Sequence, residues 1–171
     1  DGIRDRDVTG VQTCALPIFE FKTIAYEIVT VGEEFRSDDF TVKPEDVDTF
    51  GFAVEDHDPW YFEDDNDSPY NGKIAHPVLL GNLALFMRHN KYIIPAGLHA
   101  KMQYEFVEPI RVGMHVRAYG KLIDKYERRG RHYIVTQFET REEDTGQVLV
   151  RGQFTQMIFP KSGVHEHARN R

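Results

Sequence analysis

The chain has 171 residues, with 40% hydrophobic, 12% aromatic and 29% charged positions. That suffices for one domain with a real core, and the aromatic content excludes a disordered chain. Twenty-one Lys and Arg against 28 Asp and Glu give a formal charge of −7, which argues against a nucleic-acid or anionic-membrane surface.

Residues 1–18 read as foreign to the rest. Val8 to Ile18 (VTGVQTCALPI) is the translation of a short-read sequencing adapter, and Asp1 to Asp5 (DGIRD) translates the adapter's outer segment. A targeting peptide fits poorly, because no basic region precedes an apolar one. The segment is therefore expected to be an artefact. It contains Cys14, the only cysteine, so residues 19–171 offer no disulfide, no Cys-ligated zinc and no Cys nucleophile. An absent cysteine fits a cytoplasmic location. No apolar run approaches the ~18 residues needed to span a bilayer.

The remainder divides into a single domain, 19–160, and a polar tail, 161–171. Phe19 to Val31 is mixed, and Phe35 to Val42 is short and extended in character. Pro44 suits the first position of a helix, Glu45 and Asp46 complement its dipole, and Val47, Phe50 and Val54 form one stripe. This helix should stop near Asp56, ahead of Asp58-Pro59. His57 to His76 reads as a loop. Its acidic centre, Glu63 to Asp67, lacks the glycine and terminal glutamate of an EF-hand loop and is read as solvated.

Pro77 should open a second helix reaching about Tyr92. Val78 to Leu80 and Leu83 to Met87 leave it almost no polar face, so it belongs inside, wrapped by other elements. After Pro95-Ala96-Gly97 the period becomes two. Ala100, Met102, Tyr104 and Phe106 alternate with polar residues, as do Val116, Ala118, Gly120 and Leu122. Tyr133 to Thr140 and Val148 to Ile158 are two further strands, with turns at Arg129-Gly130 and Asp144-Thr145-Gly146. The pattern predicts an α+β domain with an antiparallel sheet.

The segments AVEDHDPWYFEDD, GKIAHPVLLGNLAL and EFVEPIRVGMHVRAYGKL resemble the MaoC-like hydratase/dehydratase family, including its FAS1-like dehydratase branch. The resemblance covers most of residues 26–159. It implies the hot-dog fold, in which an antiparallel sheet wraps a central apolar helix. It also implies enoyl hydratase or 3-hydroxyacyl dehydratase activity on acyl thioesters of coenzyme A or acyl carrier protein. No cofactor is implied beyond the substrate's own CoA or phosphopantetheine. The implied partners are a second copy or another hot-dog chain, with neither nucleic acid nor membrane.

The family motif runs Asp-x-Asn-Pro-x-His before the central helix, then His-Gly at its start. Asp56 falls on the family Asp, Asp58 replaces Asn, and Tyr61 falls on the catalytic His. His76 matches the second His, while Pro77 replaces Gly and lacks an N–H, so the Val78 N–H is the candidate oxyanion donor. The resemblance thus implies Asp56, Tyr61 and His76 as catalytic residues, and Trp60, Val78 and Gly81 as substrate contacts. Structural roles stand beside these. Asp56 could end its helix, Trp60 and Tyr61 could anchor packing, and His76 could orient the loop. The scattered histidines lack a metal-binding pattern, and Arg88, Lys91 and Arg111 read either as contacts for ligand phosphates or as ordinary surface cations. The altered motif leaves two rival functions: a non-catalytic subunit shaping the acyl tunnel of a heteromeric dehydratase, and a thioesterase.

Overall fold

The computed structural model describes residues 21–159. Both the adapter-like segment 1–18 and the polar tail 161–171 lie outside the described residues.

The scaffold is an antiparallel sheet built from four long strands: β5 (Gly97–Phe106), β6 (His115–Arg128), β7 (Arg131–Glu142) and β8 (Val148–Ile158). Two short strands, β2 (Glu34–Arg36) and β3 (Phe40–Thr41), pair with β6. The spatial order is β2-β6-β7-β8-β5, so β8 is inserted between β7 and β5. A separate parallel pair joins β1 (Lys22–Thr23) to β4 (Tyr92–Ile93).

Three helices complete the fold: α1 (Pro44–Ala53), α2 (Pro59–Phe62) and α3 (Leu79–Phe86), the last running into a 3-10 turn over Met87–Asn90. Lys43 precedes α1 and its N–H donates to Asp46 Oδ2 at 3.0 Å. Pro44 occupies the first helical position, where its missing N–H is harmless. The α3 helix lays Leu80 and Ala84, followed by Met87, on the concave sheet face. There they join Val116, Ala118, Leu122, Ile134, Phe138, Val150 and Phe154 in one core, with Val47 contributed by α1. This is the α+β hot-dog arrangement that the sequence resemblance implies.

Four expectations need correction. The central helix begins two residues later than Pro77, and its last turn tightens to 3-10 at Met87. It is also not wrapped on all sides, since Phe86 is 61% exposed. The β5 strand was expected to bury alternate residues, yet Ala100 and Phe106 are exposed and only Met102 and Tyr104 are half-buried. As the edge strand it lies at the margin of the helix's reach. Finally, Arg88 is not a surface cation: it is 1% exposed. It stacks over Phe154 at 4.8 Å and donates to Gln156 Oε1. Burial pushes its pKa down to about 10.

Candidate active site

The site begins where α1 ends. The Val54 N–H bonds back to Phe50 O, and Glu55 then adopts a left-handed φ of 56°. A non-glycine residue in that region carries a conformational cost. The reversal sends the Asp56 N–H to Gly51 O at 3.1 Å. Asp58 caps α2: its Oδ1 accepts from the Trp60 N–H at 3.0 Å, with Pro59 in the first helical position. The Asp58 N–H donates to Asp56 Oδ1 at 3.3 Å.

The chain then loops out through the acidic stretch and returns to the fold. Its return is fixed by the Ile74 N–H on Trp60 O (2.9 Å) and the Ala75 N–H on Ile110 O (2.8 Å). These bonds deliver His76 to the end of α1. His76 Nε2 lies 3.5 Å from Asp56 Oδ2, in ion-pair range, with the imidazole largely shielded (17% exposed) and the carboxylate open (42%). The imidazole is flanked by Phe50 and Tyr61, each with ring centroids 5.3 Å away. Asp56, Tyr61 and His76 are therefore brought together.

The hydrogen bonds favour one imidazole tautomer. The Val78 N–H donates to His76 Nδ1 at 3.2 Å. An accepting Nδ1 puts the proton of a neutral imidazole on Nε2, towards Asp56. A proton on Nδ1 would face another N–H. The tyrosine is tuned in the opposite sense to a base: burial, then the charges of Asp56 and Asp58, raise the Tyr61 pKa above its ordinary value. Tyr61 is thus kept as a protonated phenol.

Three other candidate residues have defined settings. Trp60 is half-buried, and its Nε1 donates to Asp67 Oδ1 at 3.0 Å. The Val78 N–H is engaged by His76 and is not a free oxyanion donor. Gly81 is buried under Tyr104; a Cβ at that position would sit 2.8 Å from the ring. Its place is in the contact between α3 and β5, not beside Asp56.

Two concavities flank the cluster. One, about 280 Å³, is lined by Trp60, Tyr61, Ile74, Pro77, Phe106 and Ile110 among others. A second, about 480 Å³ and mainly apolar, runs between α1 and α3 past Phe40, Phe50, Leu79, Leu83 and Phe86. His76 touches one lining residue of each, Tyr61 and Phe50. Among the described residues no group of His, Cys, Asp and Glu is placed to hold a metal ion. No described helix is long and apolar enough to cross a membrane.

The family described as "FAS1-like, dehydratase domain region" matches residues 29–151, a stretch that includes every residue of this cluster. The chain belongs to that family. No curated protein matches it. Among solved structures, the monoamine oxidase regulatory protein of Archaeoglobus is similar at a TM-score of 0.73 and 18% identity, covering 84% of this chain and 100% of that one. The R-hydratase PhaJ1 of Pseudomonas aeruginosa is similar at 0.68 and 16%, covering 81% and 87% respectively. The HadBC (3R)-hydroxyacyl-ACP dehydratase complex of Mycobacterium tuberculosis gives 0.66 and 22%, covering 74% and 96%. The family assignment makes this a chain of the FAS1-like dehydratase type.

Proposed function

We propose that the chain adds water to, or removes it from, the 2,3 bond of an acyl thioester carried on coenzyme A or acyl carrier protein. The observation that carries this reading is the Asp56–His76 pair, set between two concavities with its imidazole tautomer fixed. In the hydration direction, Asp56 takes a proton from water as the water oxygen bonds to C3. The π electrons move through C2 to the thioester carbonyl, and the resulting enolate is protonated at C2. Dehydration retraces the path.

His76 acts through Asp56. Its Nε2–H faces the carboxylate and orients it, while the Val78 N–H holds the ring by Nδ1. Tyr61, held protonated, gives its proton to C2 on the substrate side, and the proton that Asp56 has taken from water is passed back to the phenolate to reset the site. The groove between α1 and α3 suits the acyl chain, because its walls are mainly apolar. Trp60 lines the smaller concavity at the reacting end. The thioester supplies its own CoA or phosphopantetheine handle, and the chemistry calls for no further cofactor.

One observation favours a second reading, a non-catalytic subunit beside an active hot-dog chain. Tyr61 stands where the family has its catalytic imidazole, and the Val78 N–H is tied to His76 instead of being free for an oxyanion. The deciding experiment follows water addition optically across a crotonyl-to-dodecenoyl CoA series. On the leading reading the chain alone turns over, and Asp56→Asn lowers kcat by at least ~10²-fold with an unchanged melting profile. Parent-rate turnover by Asp56→Asn would sink the Asp56 mechanism. Activity only beside a partner with intact Asp and His would establish the subunit reading.

A further inference from the structure

A further concavity, of about 630 Å³, lies at the hairpin joining β6 to β7. Its lining includes Lys101, Arg128, Arg129 and Arg131 together with Tyr126 and Tyr133. Several cations elsewhere are already paired. Lys73, Lys91, Arg117, Lys121, Arg141 and Arg151 each meet a carboxylate. Among the described residues none of the four at the hairpin does. Glu127, the acid nearest the turn, lies 3.8 Å from His132 Nε2. A chain with a net charge of −7 thus gathers four cations in one hollow without a counter-ion of its own.

The backbone fixes this grouping. Arg129 and Gly130 both have positive φ, 53° and 68°, which closes a two-residue turn and sets Arg128 opposite Arg131. Such turns favour Asn-Gly or Gly-Gly, and an arginine in the left-handed region is a conformational cost that places charge in the turn. Beside it, Tyr126 and Tyr133 are cross-strand partners stacked with centroids 5.1 Å apart and planes 14° from parallel. Lys101 enters from β5 across β8.

We propose that this hollow binds a nucleoside diphosphate. Phosphate oxygens accept charge-assisted hydrogen bonds from guanidinium groups, for which the planar fork of arginine is well matched. The tyrosine pair offers an aromatic surface for the base. The volume suits one small organic anion, and the overall negative charge disfavours a polyanionic chain. The hollow is distinct from the Asp56 cluster. Ala75, next to His76, is held by Ile110 just before β6 begins, whereas the hairpin lies at the far end of that strand, roughly 40 Å along it. Binding there does not depend on the thioester reading.

The test is calorimetric titration of the full chain with ADP, with inorganic pyrophosphate and with oligothymidylate at low and moderate salt. Saturable one-to-one binding of ADP, tighter than pyrophosphate and weakened by salt, is expected. The double variant Lys101→Ala/Arg131→Ala should weaken ADP at least about tenfold while keeping the parent melting temperature. Arg151→Ala, which removes a cation already paired with Glu105, should leave it unchanged. Absence of saturable ADP binding, or full affinity in the double variant, overturns the site. Pyrophosphate binding as tightly as ADP overturns the nucleoside assignment, and tighter oligothymidylate binding overturns the choice of a mononucleotide.

Discussion

Tyr61 differs from an imidazole in the protonation state that its surroundings favour. Burial and the Asp56 and Asp58 charges hold its proton on, whereas a histidine there would titrate nearer neutrality. On the proposed mechanism Tyr61→His replaces a weak proton donor by one that ionises nearer neutrality and should raise kcat by about 10²-fold, measured as initial rates of water addition on the best substrate of the series. An unchanged or lower rate in a folded variant would show that the imidazole is not what the site lacks. The tie between the Val78 N–H and His76 Nδ1 limits the gain, because the variant still lacks an oxyanion donor at that position. This bond was not legible in the sequence. Pro77 signals a missing N–H, but only the fold reveals that the next N–H is used by the preceding side chain. The Asp56–His76 meeting was legible only through family resemblance, since nineteen residues of loop and α2 separate them.

Among the elements, the long strands were the most readable part of the sequence. Period-two alternation from Val116 to Leu122 and from Tyr133 to Thr140 marks segments that are paired over greater lengths. Alternation locates the buried core of a strand and loses its charged ends, so both strands extend further than the pattern. The α2 helix was missed although Asp58-Pro59 is a cap followed by a first-turn proline; the same pair was read only as a stop for α1. The β1–β4 pairing had no signal, because two-residue strands are too short to show a period. Where β5 meets β8, a Cβ on Gly152 would collide with the Gln103 carbonyl, a backbone atom that cannot turn aside. Gly152→Ala should therefore destabilise by about 3 kcal/mol, at the upper end of overpacking costs, read from urea midpoints at constant m.

A further element-level tie joins the start of β2 to β4. Burial tends to raise the Glu33 carboxyl, but hydrogen bonds from Lys91, Tyr92 and the Thr30 N–H prevail and hold it below the ordinary value of 4.5. With the folded pKa depressed, the stabilisation is present above the unfolded value and is lost as pH falls through the folded one. Between pH 6 and about pH 3, Glu33→Gln should lose less melting temperature than the parent; equal losses would show that this carboxylate is not a source of acid sensitivity.

At the scale of the whole molecule, the sheet ends on one side in the ten-residue strand β5, whose outer edge has no strand partner among the described residues and where Leu98 and Phe106 are exposed. Long apolar edges invite strand pairing. The chain should therefore sediment at twice its own mass or more at micromolar concentration, alone or with a second hot-dog chain, and a species of single mass only would refute this. The insertion of β8 has a different implication, one of timing. On the ribosome β5 emerges about 50 residues before its sole long partner, an interval of roughly 3–10 s at ordinary elongation rates. Throughout that wait the nascent chain holds a strand with neither edge occupied, so exposure to misassociation is greatest until β8 emerges. Ribosome-bound chains arrested before Val148 should consequently recruit holding chaperones, and those arrested well after Ile158 should release them.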